Sequence, residues 1–321
     1  MSPSPDSPTI AGLGIACLDY LFVTEEATPG GYARLVDHSV EGGGLVATAL
    51  VAAARLGAAA EIVTWVGDDE EGRLVLDGLR KDGVDVSRAE VVTGGRTAIS
   101  FIQVEAGTGE RTIYHRRGIE NVTAQPSADL ACDVALIDGV WPEASLAFAR
   151  SARERKVPVV GDFCPTGRLE ALASYTTALI VNRQCGEAMG ASWQKRLGRL
   201  AALGPEFVAI TAGEQGCYYL DGGEVRHQQP FNVEVADTTG AGDVFHGAFA
   251  YALARRWGYP TCTEFASAAA ALSCRALGGR RGIPALEEVQ RMVGGDKRQG
   301  KGEGNGRRGA FGNTTTEHQQ Q

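Results

Sequence analysis

The sequence predicts an α/β fold: a doubly wound, mainly parallel sheet covered by helices on both faces, with a small β-sheet lid. Three observations lead there. From residue 134 onward, short apolar runs alternate with helical patterns, which is the rhythm of βα units in a sheet buried on both sides. The helical stretch 45–56 is apolar nearly all round, so it must be sandwiched rather than lie on the surface. Two strand-like but partly polar segments, 21–38 and 97–117, break the rhythm and suit a separate sheet standing off the main domain.

Taken in order, residues 9–23 read as a first buried strand leading outward, with Gly12 and Gly14 among small and apolar neighbours. Gly42-Gly43-Gly44 opens the helix at 45–56, and Gly57 ends it. A strand at 60–66 and an amphipathic helix at 70–82 follow. Segments 97–105 and 111–115 form a hairpin around 106–110. Then come a strand at 134–138, a helix at 143–155, strands at 157–162, 178–181 and 207–211, and helices at 244–255 and 264–276. Residues 1–293 form one domain, with the lid drawn from about 20–40 and 96–118. From Gly294 the chain is rich in glycine, mixed in charge and poor in large apolar residues. Such a segment cannot offset its ordering entropy, so 294–321 reads as a disordered tail.

Composition excludes some classes of function. A net charge of −8 argues against a nucleic-acid partner, because binding a phosphate backbone needs a basic surface. Apolar runs such as 45–54 are too short to span a bilayer, and the N-terminus lacks the basic-then-apolar pattern of a signal peptide. The expectation is a cytoplasmic protein with no membrane partner. The seven cysteines are odd in number and widely spaced, which reads as reduced, mostly buried thiols.

The stretch that carries chemistry is Asp237-Thr238-Thr239-Gly240-Ala241-Gly242-Asp243, followed by a helical run. Small residues before a helix let backbone N–H groups converge on an anion, with the helix dipole adding to the attraction. Phosphoryl transfer asks little more of a protein than an anion cradle, a metal and a base aimed at the nucleophile. Asp243, in the first helical turn, would be that base. On local physics a helix cap and a tight turn fit the same residues. A dinucleotide fingerprint does not, because Phe245 stands where its third glycine belongs, and the sequence contains no Walker A lysine.

Asp-Thr-Thr-Gly-Ala-Gly-Asp-x-Phe resembles the C-terminal signature of the ribokinase-like (PfkB) sugar kinases. The likeness extends over 10–284. Gly14 and Asp19 match the family's first-strand motif, and Gly43-Gly44 running into 52–57 matches its N-terminal signature. Gly67-Asp68-Asp69 and Thr211-x-Gly213-x-x-Gly216 match two further landmarks. The resemblance implies a ribokinase-like fold, Mg-ATP, and transfer to a sugar hydroxyl, usually a primary one. It implies that Asp19, Gly43, Gly44 and Thr48 meet the sugar and that Gly240, Ala241 and Gly242 form the anion hole. It also implies that Asn182, Thr211, Gly213 and Gly216 meet the nucleotide. Asp237, Thr239, Ala276 and Gly278 would hold a monovalent cation such as K+, and members often form homodimers through the lid.

Some positions depart from the family pattern. Thr48 stands where members often carry Asn, and Cys185 stands where an Asn-x-x-Glu motif has its Glu. The local wording is most similar to the sulfofructose kinase branch, but Tyr32, His115 and Val140 occupy the places of its sulfonate-gripping Lys, Asn and Arg. This points to a ketose or related sugar without the sulfonate, with His115, Arg116 and Arg117 on the lid either meeting an anionic substituent of the substrate or forming a solvated basic cluster on an edge strand. His246 reads as a helix-packing residue, and Trp65 and Trp141 as core or rim. A nucleoside kinase of the same fold, and a catalytically inactive sugar- or nucleotide-binding regulatory protein, are the alternative readings.

Overall fold

The computed structural model describes residues 7–25, 30–107, 111–120, 122 and 131–299. The elements run β1 (Thr9–Leu13), β2 (Cys17–Thr24), β3 (Leu35–Gly43), α1 (Leu45–Arg55), β4 (Ala59–Gly67), α2 (Glu70–Lys81) and β5 (Val84–Val92). They continue with β6 (Ala98–Glu105), β7 (Arg111–Arg116), β8 (Val134–Ile137), α3 (Pro142–Glu154), β9 (Val159–Gly161), α4 (Glu170–Ala173), β10 (Ala178–Asn182), α5 (Arg183–Met189) and α6 (Trp193–Ala201). The last are β11 (Phe207–Thr211), β12 (Cys217–Asp221), β13 (Glu224–Gln228), α7 (Ala241–Ala254), α8 (Tyr259–Ser273) and α9 (Leu286–Gln299).

Nine strands make the main sheet, in the order β13-β12-β11-β10-β9-β8-β1-β4-β5; all pairings are parallel except those of the β12–β13 hairpin. Alternate residues feed two cores. Ile10 and Ile180 face α1, α7 and α8, whereas Ala11, Leu179 and Val181 face α3 and α6. From β1 the chain winds one way to β4 and β5, and later the other way from β8 through β11. The boundary between β1 and β8 is therefore a topological switch point, and a crevice opens beyond the carboxyl ends of its strands. Asp138 spans it: one carboxyl oxygen accepts from Ile15 N at 2.7 Å and the other from Val140 N at 2.9 Å.

A second sheet, in the order β3-β2-β6-β7, forms the lid. The stretch 9–23 is thus two strands rather than one. The break comes at 14–16, where Gly14 N donates to Val63 O and Ile15 N turns to Asp138, and the chain leaves the main sheet for the lid. The lid also reaches further than 20–40, since β3 continues to Gly43. Helix α7 begins at Ala241 rather than 244, because Gly240 takes the left-handed turn (φ +72°) and the helix follows directly. Likewise α9 runs past Gly294, where the tail is expected to start; the remainder of that segment, 300–321, lies outside the described residues. Among the described residues no helix is long and apolar enough to cross a membrane.

Candidate active site

The glycine turn at 240–243 is built by close backbone approach. Gly240 lies against the backbone of Gly279, so that a Cβ on it would fall 2.8 Å from Gly279 Cα, and its positive φ suits glycine. Ala241, Gly242 and Asp243 then form the first turn of α7. Packing of Gly247 directly on Ala49 O seats α7 tightly against α1 and brings this turn next to the residues that open α1. His246 ties the turn to the main sheet. Its Nδ1 lies 2.8 Å from Gly242 O and 3.3 Å from Asp162 Oδ2, and its Nε2 lies 3.1 Å from Ile180 O. It is a buried packing residue, as expected, and both ring nitrogens are engaged.

Burial holds the Asp243 carboxyl well above the usual carboxylate range. The charges of Asp162, Asp19 and Asp138 add to the shift, and Arg280 opposes it. Burial raises Asp162 too, with His246 pulling it down, and pushes Asp138 up to about 7. Asp138 and Asp162 escape a motif reading, because each follows a different strand; Arg280 belongs to the Gly278-Gly279-Arg280 run of the family likeness, which carries no role for it.

On the lid side, register lines up Glu41, Asp19, Ser100 and His115 across the four strands. Cys17 Sγ donates to Asp19 Oδ1 at 3.2 Å, and Ser100 Oγ lies 3.3 Å from His115 Nδ1. Burial raises the Asp19 carboxyl, while bonds from Cys17 and Ser100 hold it down. Gly43 lies directly against Asp19 Oδ2, so that a Cβ there would push the carboxylate from its place. Gly44 N-caps α1 with φ +99°. Thr48 is buried, and its hydroxyl accepts from Arg280 Nε at 3.4 Å, so the polar group at this place belongs to Arg280.

On the other side, Asn182 and Thr211 are paired neighbours at the carboxyl ends of β10 and β11. Asn182 Oδ1 accepts from Cys185 N at 2.9 Å and caps α5. Gly213 and Gly216 both have positive φ, and Gly216 packs directly on Gln228 O. Asp237 is buried and knits two loops together: Oδ1 accepts from Thr239 N (2.9 Å) and Oγ1 (2.8 Å), and Oδ2 accepts from Gly278 N (2.9 Å). Ala276 lies on the loop that leads to Gly278. From the lid, Arg111 Nη1 donates to Thr239 Oγ1 at 3.3 Å.

The expectation of reduced cysteines fails at one pair. Cys164 and Cys185 form a disulfide, while Cys17, Cys132, Cys217, Cys262 and Cys274 are free. The two lie 21 residues apart in the chain, and they meet because β9 and β10 run side by side and deliver their following loops to one place. The position where the family motif has Glu is thus held in a covalent crosslink.

The profile of the pfkB family carbohydrate kinases matches residues 8–286. The ribokinase of Bacillus subtilis is 31% identical over 257 residues, covering 78% of this chain and 87% of that protein. The ribokinase of Haemophilus influenzae is 29% identical, covering 88% and 97%. Among solved structures, Thermotoga maritima ribokinase superposes with a TM-score of 0.75 at 27% identity, covering 89% of this chain and 99% of that one. Arabidopsis thaliana ribokinase, solved with ribose and ATP, shares the fold with a TM-score of 0.77 at 22% identity, over 89% and 99%. The chain belongs to the pfkB family of carbohydrate kinases. It is a ribokinase-like sugar kinase, a phosphotransferase with an alcohol group as acceptor.

Proposed function

We propose that the protein transfers the γ-phosphate of Mg-ATP to a primary hydroxyl of a ketose or related sugar. The observation that carries this reading is the turn at 240–243: a glycine-built anion hole at a helix N-terminus, with the raised carboxyl of Asp243 in its first turn. The sugar would lie on Gly43 and Gly44, with Asp19 accepting its hydroxyl protons. ATP would lie along the carboxyl ends of β10 and β11, beside Asn182, Thr211, Gly213 and Gly216. Asp243 takes the proton of the attacking hydroxyl, and an elevated pKa makes it a better acceptor for that proton. The amides of 240–242 and the helix dipole stabilise the charge on the moving phosphoryl group.

Magnesium supplies charge neutralisation across the phosphates when bound. Cys185 sits in its disulfide and Glu187 is paired with Arg183 at 2.8 Å, so neither frees a carboxylate at the place of the family's Glu, and the nearest acidic partner of Asp243 is Asp162. That suits an ion held mostly by nucleotide and water. Asp237, Thr239, Ala276 and Gly278 would form a monovalent-cation loop, with the buried carboxylate of Asp237 balancing the ion's charge. Tyr32 is fully exposed and Val140 is apolar, which favours a sugar without a sulfonate. A lid-to-lid homodimer in the cytoplasm completes the reading. The intact turn at 240–243 favours turnover over the regulatory-protein alternative.

The test is ADP release with Mg-ATP against fructose, fructose phosphates, sulfofructose, ribose, other ketoses and nucleosides. Asp243→Asn is expected to abolish turnover while ATP still binds. A near-normal rate in that variant would remove Asp243 from the mechanism.

A further inference from the structure

Arg280 is the only buried arginine or lysine among the described residues, at 3% exposure. Its backbone is fixed: the carbonyl accepts from Arg55 Nη1 at 2.6 Å, and Arg55 is itself paired with Asp82 at 2.7 Å. Its side chain runs to the Gly42–Gly43 turn. Nε donates to Thr48 Oγ1 at 3.4 Å and Nη2 to Gly43 O at 3.0 Å. Nη1 rests on Gly42, where any Cβ would collide with it, and donates to nothing among the described residues. No carboxylate among them comes within 4.0 Å of the guanidinium. A buried cation held only by a hydroxyl and a carbonyl is costly, and its open donor calls for an acceptor.

The place it occupies is the floor of the proposed sugar site. Gly43, whose carbonyl it holds, is the residue against which Asp19 lies. Its charge acts on both Asp19 and Asp243, the two groups that bracket the acceptor. Asp19 and Glu41 already act on its charge, so the open donor asks for an acceptor and not for a further anion. The matching ligand atoms are therefore neutral oxygens.

We propose that Arg280 is a sugar-binding and specificity-determining residue, donating through Nη1 to a hydroxyl oxygen while Asp19 accepts hydroxyl protons, so that the substrate class is a neutral polyol with adjacent hydroxyls facing Gly42–Gly43. The proposal rests on the sugar-kinase reading. A carboxylate reads hydroxyl protons and a guanidinium reads hydroxyl lone pairs, so the two select for a diol. A sugar lacking one of these hydroxyls leaves a buried donor unpaired, the situation in which discrimination is strongest.

The experiment compares wild type, Arg280→Gln and Arg280→Lys in KM and kcat for D-ribose, D-fructose and their monodeoxy analogues, in KM for Mg-ATP, and in Tm. Arg280→Gln is expected to raise the acceptor KM roughly ten- to hundredfold, with KM for Mg-ATP changed less than about twofold. The wild-type penalty for one deoxy analogue should collapse in the variant, and Arg280→Lys should recover part of the affinity. An unchanged acceptor KM in folded Arg280→Gln, or the same deoxy penalty as wild type, overturns the proposal and leaves Arg280 a packing residue. If Arg280→Gln does not fold, Arg280→Lys carries the comparison, since it loses the fork, and an undiminished deoxy penalty there has the same force. Wild type that binds ATP yet phosphorylates no sugar sinks the kinase reading itself, which is a separate result.

Discussion

Asp138 is the residue in which the cost of building the crevice can be measured. Its two carboxyl oxygens accept backbone N–H bonds from either side of the switch point, yet burial, the larger effect, pushes its pKa up to about 7. The folded protein therefore holds a proton that the unfolded chain releases near pH 4. Stability from this group is fully present below that value and is lost as pH rises toward 7, by about 4 kcal/mol at most. Thermal unfolding between pH 4.5 and 8 should show wild-type Tm falling over that window, with Asp138→Asn giving a flatter profile from a lower start. A variant with the same pH slope as wild type would show that Asp138 is ionised in the fold. Arg280 makes a complementary point about what a sequence reveals. Its residue type is plain in the Gly278-Gly279-Arg280 run, but its bond to Gly43 O spans 237 positions, and nothing local places it there.

At the scale of elements, the disulfide ties together two loops that flank the candidate site. Cys164 lies two residues beyond Asp162, the partner of His246, and Cys185 lies in the first turn of α5, which Asn182 caps. A crosslink closing a loop of this length contributes about 3 kcal/mol by restricting the unfolded chain. Urea unfolding of a Cys164→Ser/Cys185→Ser variant should show that loss, and reductant should lower wild type to the same level. Reductant should leave the double variant unmoved, because the other five cysteines are free thiols, which burial keeps protonated: Cys132 is raised to about 11 and Cys262 to about 12. A reductant effect on the double variant would contradict the assignment. The glycine turn that starts α7 was legible in the sequence because its parts are consecutive: glycine, helix start and carboxylate all fall within 240–243. Strand β5 and the β12–β13 hairpin escape a search for apolar runs because they alternate or lie half exposed at the sheet's two edges. The disulfide escapes it because strand order, not spacing, brings its cysteines together.

For the molecule as a whole, the lid has two faces with different work. One carries Asp19 and His115 toward the candidate site and packs Leu21, Ile102 and Val104 on Leu277, beside the Arg111–Thr239 contact with the 237–240 loop. The other presents a row set by register, Val40, Tyr20, Phe101 and Tyr114, one residue from each strand. Tyr20 and Phe101 stack at 5.0 Å, while Val40, Phe101 and Tyr114 stay 51%, 43% and 58% exposed. An apolar row across a whole sheet is a surface that monomers seldom leave open, and a second copy of the same lid is the partner proposed above. Charge placed in that row should separate the copies without touching the site directly. Phe101→Asp with Tyr114→Asp is expected to shift light-scattering mass from two chains to one. It should also raise the acceptor KM more than the KM for Mg-ATP, because the strand that bears Phe101 also pairs with the strand that bears Asp19. Wild type that elutes as a single chain at every concentration would retire the dimer, and would leave the exposed row awaiting a different partner.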